Sequence, residues 1–241
     1  MATLEHSHTP AEIAARLARF PKPSYLRDWV LGGIDGAITT FAIVAGVAGA
    51  GLSTSVVIIL GIANLLADGI SMAAGNYSGV KAENEAMSNV REMEKRHIAL
   101  APDGEREEVR QIFAKKGFRG DDLERAVSTV TEDKDRWIDF MLTEEFGLAR
   151  SERAPLPAAA ATFLAFVVCG LIPLLPYVLG WPNVFVVASL GTGCVFFCIG
   201  ALKSHWSNRS WASSGVETLA IGTAAATTAY LVGHYLEMIV L

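Results

Sequence analysis

Charge is segregated in this 241-residue chain. Of its 20 Lys+Arg and 25 Asp+Glu residues, the stretch 81–153 holds 18 acidic and 14 basic, and the other 168 residues hold only 13. A soluble domain must spread charge over its whole surface, whereas here 51% of residues are hydrophobic and the mean hydropathy is +0.36. The split excludes a uniform soluble globule, a disordered chain and a basic nucleic-acid binder. It predicts an all-α membrane protein with one charged helical domain inserted into it. Cys169, Cys194 and Cys198 all lie in apolar runs and read as small buried hydrophobes, without a disulfide framework.

A helix needs about 20 apolar residues to cross a bilayer. Residues 29–80 carry only Asp35 and Asp68 as charges and are punctuated by Leu52-Ser53-Thr54-Ser55, which predicts two spans. Residues 154–202 carry no charge and break at Gly180-Trp181-Pro182-Asn183, which predicts two more, the first softened by Pro173 and Pro176. A fifth runs from about Ser213 to Met238, with Glu217 near its start. The expected layout is an N-terminal arm over 1–28, two spans over 29–80, the charged domain over 81–153, and three spans over 154–241. Five spans put all 20 basic residues on one side, so the positive-inside rule places the N-terminus and the charged domain in the cytoplasm and the C-terminus across the membrane. Which membrane is left open. The first twenty residues lack the apolar run of a cleavable signal peptide. Thr9-Pro10-x-Glu12 resembles a helix start, and Ile13, Leu17 and Phe20 then share a face beside Arg16 and Arg19, as in a short interfacial helix, with a frayed tail as the equal alternative.

Carboxylates inside a bilayer are costly unless they pair, face water or bind a cation. Asp35 lies about two turns into the first span, flanked by glycines that permit close helix packing. Asn64, Asp68 and Met72 recur every fourth residue and so share one stripe of the second span. Hard oxygens beside a soft thioether suit a borderline first-row ion such as Fe²⁺ better than Ca²⁺ or Mg²⁺. Asp35, Asp68, Asn64 and Glu217 are therefore candidates for a transport or proton path. A lone Met in a membrane helix is usually packing, and Glu217 lies near enough to an end to snorkel.

The charged domain reads as helical throughout. The second span continues to about Ala99; a helix starts at Pro102-Asp103-Gly104 and ends at Gly117; Asp121-Asp122-Leu123-Glu124 suggests a capping-box start for the next; and a last helix covers about 133–146 before Gly147. Glu94-x-x-His97 and Glu105-x-x-Glu108 each set two ligand types on one face, as do Met141 and Glu145 four apart. Three such pairs could converge on divalent cations, although acidic helix faces are more often solvated surface.

At these residues the chain resembles the vacuolar iron transporter family. The likeness is carried by Asp35-Gly36, Asp68-Gly69-x-Ser71-Met72, Gly75-Asn76-Tyr77, Trp137-x-Asp139-Phe140-Met141 with Glu145-x-Gly147-Leu148, and Gly170-Leu171-Ile172-Pro173-Leu174-Leu175-Pro176-Tyr177, in order, over nearly the whole chain after about residue 27. The resemblance implies a homodimer of five-span subunits, a cytoplasmic domain that binds transition metals, and proton-coupled export of Fe²⁺, with Mn²⁺, Co²⁺, Ni²⁺ or Zn²⁺ as alternative ions. It implies path roles for Asp35 and Met72 and metal-ligand roles for Glu94, Glu105, Glu108, Met141 and Glu145. Three positions depart from the family pattern: Asn64 and His97 stand where glutamates are expected, and Leu142 where a second Met is frequent. No enzymatic cofactor and no nucleic-acid partner are expected. The alternative is a membrane-anchored di-iron oxidase, since Glu94-x-x-His97 is the motif of ferritin-like sites; such sites need a second pair, and His6, His8, His205 and His234 supply none.

Overall fold

The computed structural model describes residues 8–18, 23–148, 153–206 and 209–240. Among the described residues the chain is helical, without a strand. Helix α1 (Pro10–Leu17) starts with proline at its first position and an extended Thr9 before it; the Thr9 hydroxyl donates to Glu12 Oε2 at 2.9 Å. It buries none of its residues. Arg19 and Phe20 of the expected interfacial face lie outside the described residues.

Helix α2 (Leu26–Gly49) ends where Gly51 takes a positive φ of 61°, and α3 (Thr54–Leu100) begins three residues later. The short Leu52–Ser55 punctuation is thus a true helix break. In contrast, α3 continues for 47 residues without interruption. Helices α4 (Pro102–Lys115), α5 (Gly120–Thr131) and α6 (Lys134–Glu144) follow. Asp133 caps α6 by accepting from Arg136 N at 2.7 Å. The expected capping box at Asp121 is a correction: α5 starts one residue earlier, flanked by Arg119, with no side-chain cap. Gly120, at φ 54°, makes the entry turn, and Asp121 and Asp122 act inside the first turn, where acids oppose the helix dipole.

Helix α7 (Pro155–Leu171) stops two residues before Pro173, which has no N–H to bond back. A single turn, α8 (Leu175–Val178), then leads through Gly180 and Asn183, both at positive φ, into α9 (Val184–Lys203). A 3₁₀ turn (Ser204–Trp206) precedes α10 (Trp211–Val240). Among the described residues three helices, α2, α3 and α9, are long and apolar enough to cross a membrane. Helix α7 is apolar but has 17 residues, and α10 interleaves Ser, Thr and Gly with its apolar residues.

The chain forms two compact units. One comprises residues 25–83 and 154–241. Its helices meet backbone to backbone: a Cβ on Gly36 would fall 2.3 Å from Phe166 O, and one on Gly233 2.1 Å from Gly46 O. This is the small-residue packing of membrane helices, where dispersion at close approach replaces the hydrophobic drive. Phe41, Val44, Val47, Val57, Leu174 and Tyr177 fill one part of its interior, while Ile59, Ile70, Leu190 and Tyr235 remain exposed. The other unit comprises residues 1–24 and 84–153. Its core is a conventional one: Ile98, Val109, Val127, Trp137, Ile138, Met141 and Leu142 pack together, with Phe113 stacked on Phe140 at 5.0 Å. Arg91 of α3 clamps α6 through Asp139 at 2.9 Å, and Arg110 of α4 forks onto both Glu124 oxygens of α5 at 2.9 and 3.0 Å.

Candidate metal sites

In the charged unit, Glu94 of α3 and Glu105 of α4 come together in a place almost closed to water. They are 1% and 5% exposed, and each leaves its Oε2 buried without a hydrogen-bond partner. Buried carboxylate oxygens are normally satisfied, so two adjacent orphans mark a site held ready for something positive. His97, one turn beyond Glu94 and half exposed, places Nδ1 3.4 Å from Glu105 Oε1 and 4.0 Å from Glu94 Oε1.

The protonation chemistry follows from this crowding. Burial raises the Glu94 carboxyl to about 7, reinforced by the charges of Glu105 and Glu145, by a hydrogen bond shared with Glu105, and by Glu108. Glu105 is also raised, by burial and then Glu108, with His97 pulling the other way. Glu145 is raised by partial desolvation, then by Glu108 and Glu105. The four carboxylates therefore repel one another, and a proton is the smallest cation that relieves them. A divalent ion would do so more completely. Among the described residues no three His, Cys, Asp or Glu side chains already converge on one ion position. Glu108 and Glu145 are exposed at the surface. Met141 is wholly buried, within the apolar cluster of its unit. The structure thus joins Glu94, His97 and Glu105 directly and brings Glu108 and Glu145 within electrostatic reach.

In the other unit, Asp35 of α2 is half-buried and within electrostatic reach of Asp68 on α3. Asn64, Asp68 and Met72 are half-buried along their shared stripe, and the Asn64 amide nitrogen is buried without a partner. Glu217 instead forms an ion pair with Arg209 at 2.7 Å on an exposed part of α10.

The residue that sequence reasoning passed over is Asp28. Its place at the edge of the apolar run puts it in the expected N-terminal arm, yet it is only 3% exposed in the first turn of α2. Asn76 of α3 donates to its Oδ1 at 2.9 Å, and lies 2.7 Å from Thr162 Oγ1 and 3.2 Å from Ala158 O, both on α7. The spacing held the signal. Asp28, Gly32, Asp35 and Gly36 fall on one face of α2, and Asn76 extends the Asn64–Asp68–Met72 series by one more step of four.

The VIT family model matches residues 26–234 of the chain. Vacuolar iron transporter 1 of Arabidopsis thaliana is 32% identical over 222 residues, covering 90% of this chain and 88% of the relative. A vacuolar iron transporter of Toxoplasma gondii is 32% identical over 229 residues, covering 90% and 76%. One of Plasmodium falciparum is 30% identical over 224 residues, covering 88% and 82%.

Proposed function

The chain belongs to the VIT family of iron transporters, and from that premise we propose that it exports Fe²⁺ from the cytoplasm in exchange for protons. The family is one of transporters and not of enzymes, so the di-iron oxidase alternative falls. In this reading the protein is a homodimer with five spans per subunit, α7 and α8 together forming the third and α10 the fifth. The charged unit faces the cytoplasm. Mn²⁺, Co²⁺, Ni²⁺ and Zn²⁺ are the competing ions for the same donors.

The observation that carries the proposal is the pair of orphaned, buried carboxylate oxygens on Glu94 and Glu105 beside His97. These groups collect the ion and replace part of its hydration shell, with Glu108 and Glu145 adding negative potential at the surface and Met141 as a further candidate donor. Asp35 and Met72 then hold it within the spans, where carboxylate and thioether together favour a borderline cation over Ca²⁺ or Mg²⁺. A proton arriving from the far side neutralises Asp35 or Asp68 and releases the metal, since a carboxylate cannot favour proton and cation at once. Asp68 takes over the acid role that Asn64 cannot serve.

The test is Fe²⁺ uptake by proteoliposomes with and without an imposed pH gradient. Wild-type uptake should depend on the gradient, Asp35→Asn should abolish it, and Glu105→Ala/Glu108→Ala should only slow it. Unaltered transport in Asp35→Asn would overturn the scheme.

A further inference from the structure

The Asp28–Asn76 contact has no part in the transport scheme above, yet it is a polar node between helices of its unit. Three helices meet there: α2 through Asp28, α3 through Asn76, and α7 through Ala158 and Thr162. Thr162, itself fully buried, also donates to Ala158 O at 3.1 Å. The contact lies within the same unit as the path residues and shares their elements. Met72 is one turn from Asn76 on α3, and Asp35 is two turns from Asp28 on α2.

Elsewhere α3 also meets this unit through apolar side-chain contacts. Gly61 rests on Leu174, and Gly69 on Phe163 and Phe166, through their side-chain carbons. Such apolar contacts are non-directional and hold axial register less strictly than a bond to one atom. A hydrogen bond to a specific atom does fix register, and here its acceptor, Asp28, is shielded from water. Asn76 is thus the point at which the rotation and height of α3 are set against α2 and α7.

We propose that Asn76 is a positioning residue for transport: its amide latches α3 to Asp28 and so sets Met72 against Asp35. The proposal rests on the reading of Asp35 and Met72 as path residues. The Asp28 carboxylate serves in it as a hydrogen-bond acceptor, and its charge is not required.

That distinction makes the test sharp. An asparagine at position 28 still offers a carbonyl oxygen to the Asn76 amide. Asp28→Asn should therefore keep Fe²⁺ uptake within about twofold of wild type, a neutral hydrogen bond replacing a charge-assisted one. Asn76→Ala should raise the KM for Fe²⁺ and lower kcat/KM by on the order of ten- to a hundredfold, as small misplacements of reacting groups do. Metal binding by the charged unit, followed by titration calorimetry with Mn²⁺ on the full chain, should not change. Asn76→Asp sets two carboxylates face to face and should be the worst variant, and Asp28→Asn/Asn76→Asp, which restores donor and acceptor in reverse, should recover uptake over it. Melting temperatures in detergent should follow the same order.

Loss of uptake in Asp28→Asn with retention in Asn76→Ala would overturn the latch and make the Asp28 charge itself functional. Wild-type KM and kcat in Asn76→Ala would overturn it equally. A wild-type protein that carries no Fe²⁺ would refute the transport reading instead, and the melting temperatures would then decide the latch: the reversed pair restores stability if the bond sets the register, and fails to if it does not.

Discussion

The two units hold buried carboxylates in opposite ways. In the charged unit Glu94 and Glu105 are packed against each other with orphaned oxygens and only a half-exposed histidine nearby. In the helical unit of residues 25–83 and 154–241 the buried Asp28 receives a short hydrogen bond from Asn76. The first arrangement stores repulsion that a cation relieves. The second is already engaged as a hydrogen-bond acceptor between helices. Burial alone therefore does not identify a metal ligand; the partners of the buried oxygen do.

The packing of the two units differs in kind as well, and here the largest effect is expected. Gly36→Val would drive a side chain into the α7 backbone at Phe166. Melting of the purified protein should show a loss of more than about 4 kcal/mol or no folded product at all. Gly75→Val, at a position with open space around it, should fold normally.

Next in size is Glu94→Gln. Removing one of two crowded carboxylates should stabilise the metal-free charged unit by on the order of 1–3 kcal/mol, read as slower hydrogen exchange in α3–α6 of the full chain. The same change should weaken Mn²⁺ or Fe²⁺ binding by no less than about tenfold. A variant that lost both stability and affinity would show that Glu94 is a structural carboxylate, as Asp28 is.

A pH series sharpens this further. Because the folded-state value of Glu94 is raised to about 7 from an ordinary 4.5, the folded unit holds more protons than the unfolded chain between those values. Its metal-free stability should therefore fall as pH rises from about 4.5 to about 7. Saturating Mn²⁺ should reverse the slope, since the ion binds only the deprotonated carboxylates. The smallest effect is expected at Arg110→Ala. This removes a well-formed fork onto Glu124, but the pair lies at the protein surface, and the change in melting should be slight and vanish in high salt.

Much of the helix layout was legible because it depends on local chemistry. Pro102 opens α4 and Asp133 caps α6; Gly117 and Gly147, both at positive φ, follow the ends of α4 and α6. The break at Gly180–Asn183 is likewise a matter of residues that tolerate left-handed backbone. The Asp121 capping box misled because its pattern is satisfied equally by acids inside the first turn, and only the preceding glycine's conformation separates the two.

The candidate site was legible in its ingredients and not in its pairing. Spacing of three put Glu94 with His97 and Glu105 with Glu108 on common faces, a consequence of helix geometry alone. It could not tell that Glu94 and Glu105, from different helices, would share one dry pocket while Glu108 and Glu145 stay at the surface, or that Met141 would be wholly buried in the apolar core. Nor could it show Glu217 paired with Arg209, or Asp28 buried beneath Asn76. The sequence by itself determined the helical class, the segregation of charge and the stripes along each helix, because these depend on periods of three and four residues. Only the tertiary structure decided which stripes face each other, because that depends on where backbones can touch. In this protein those places include glycines on α2, α7, α9 and α10.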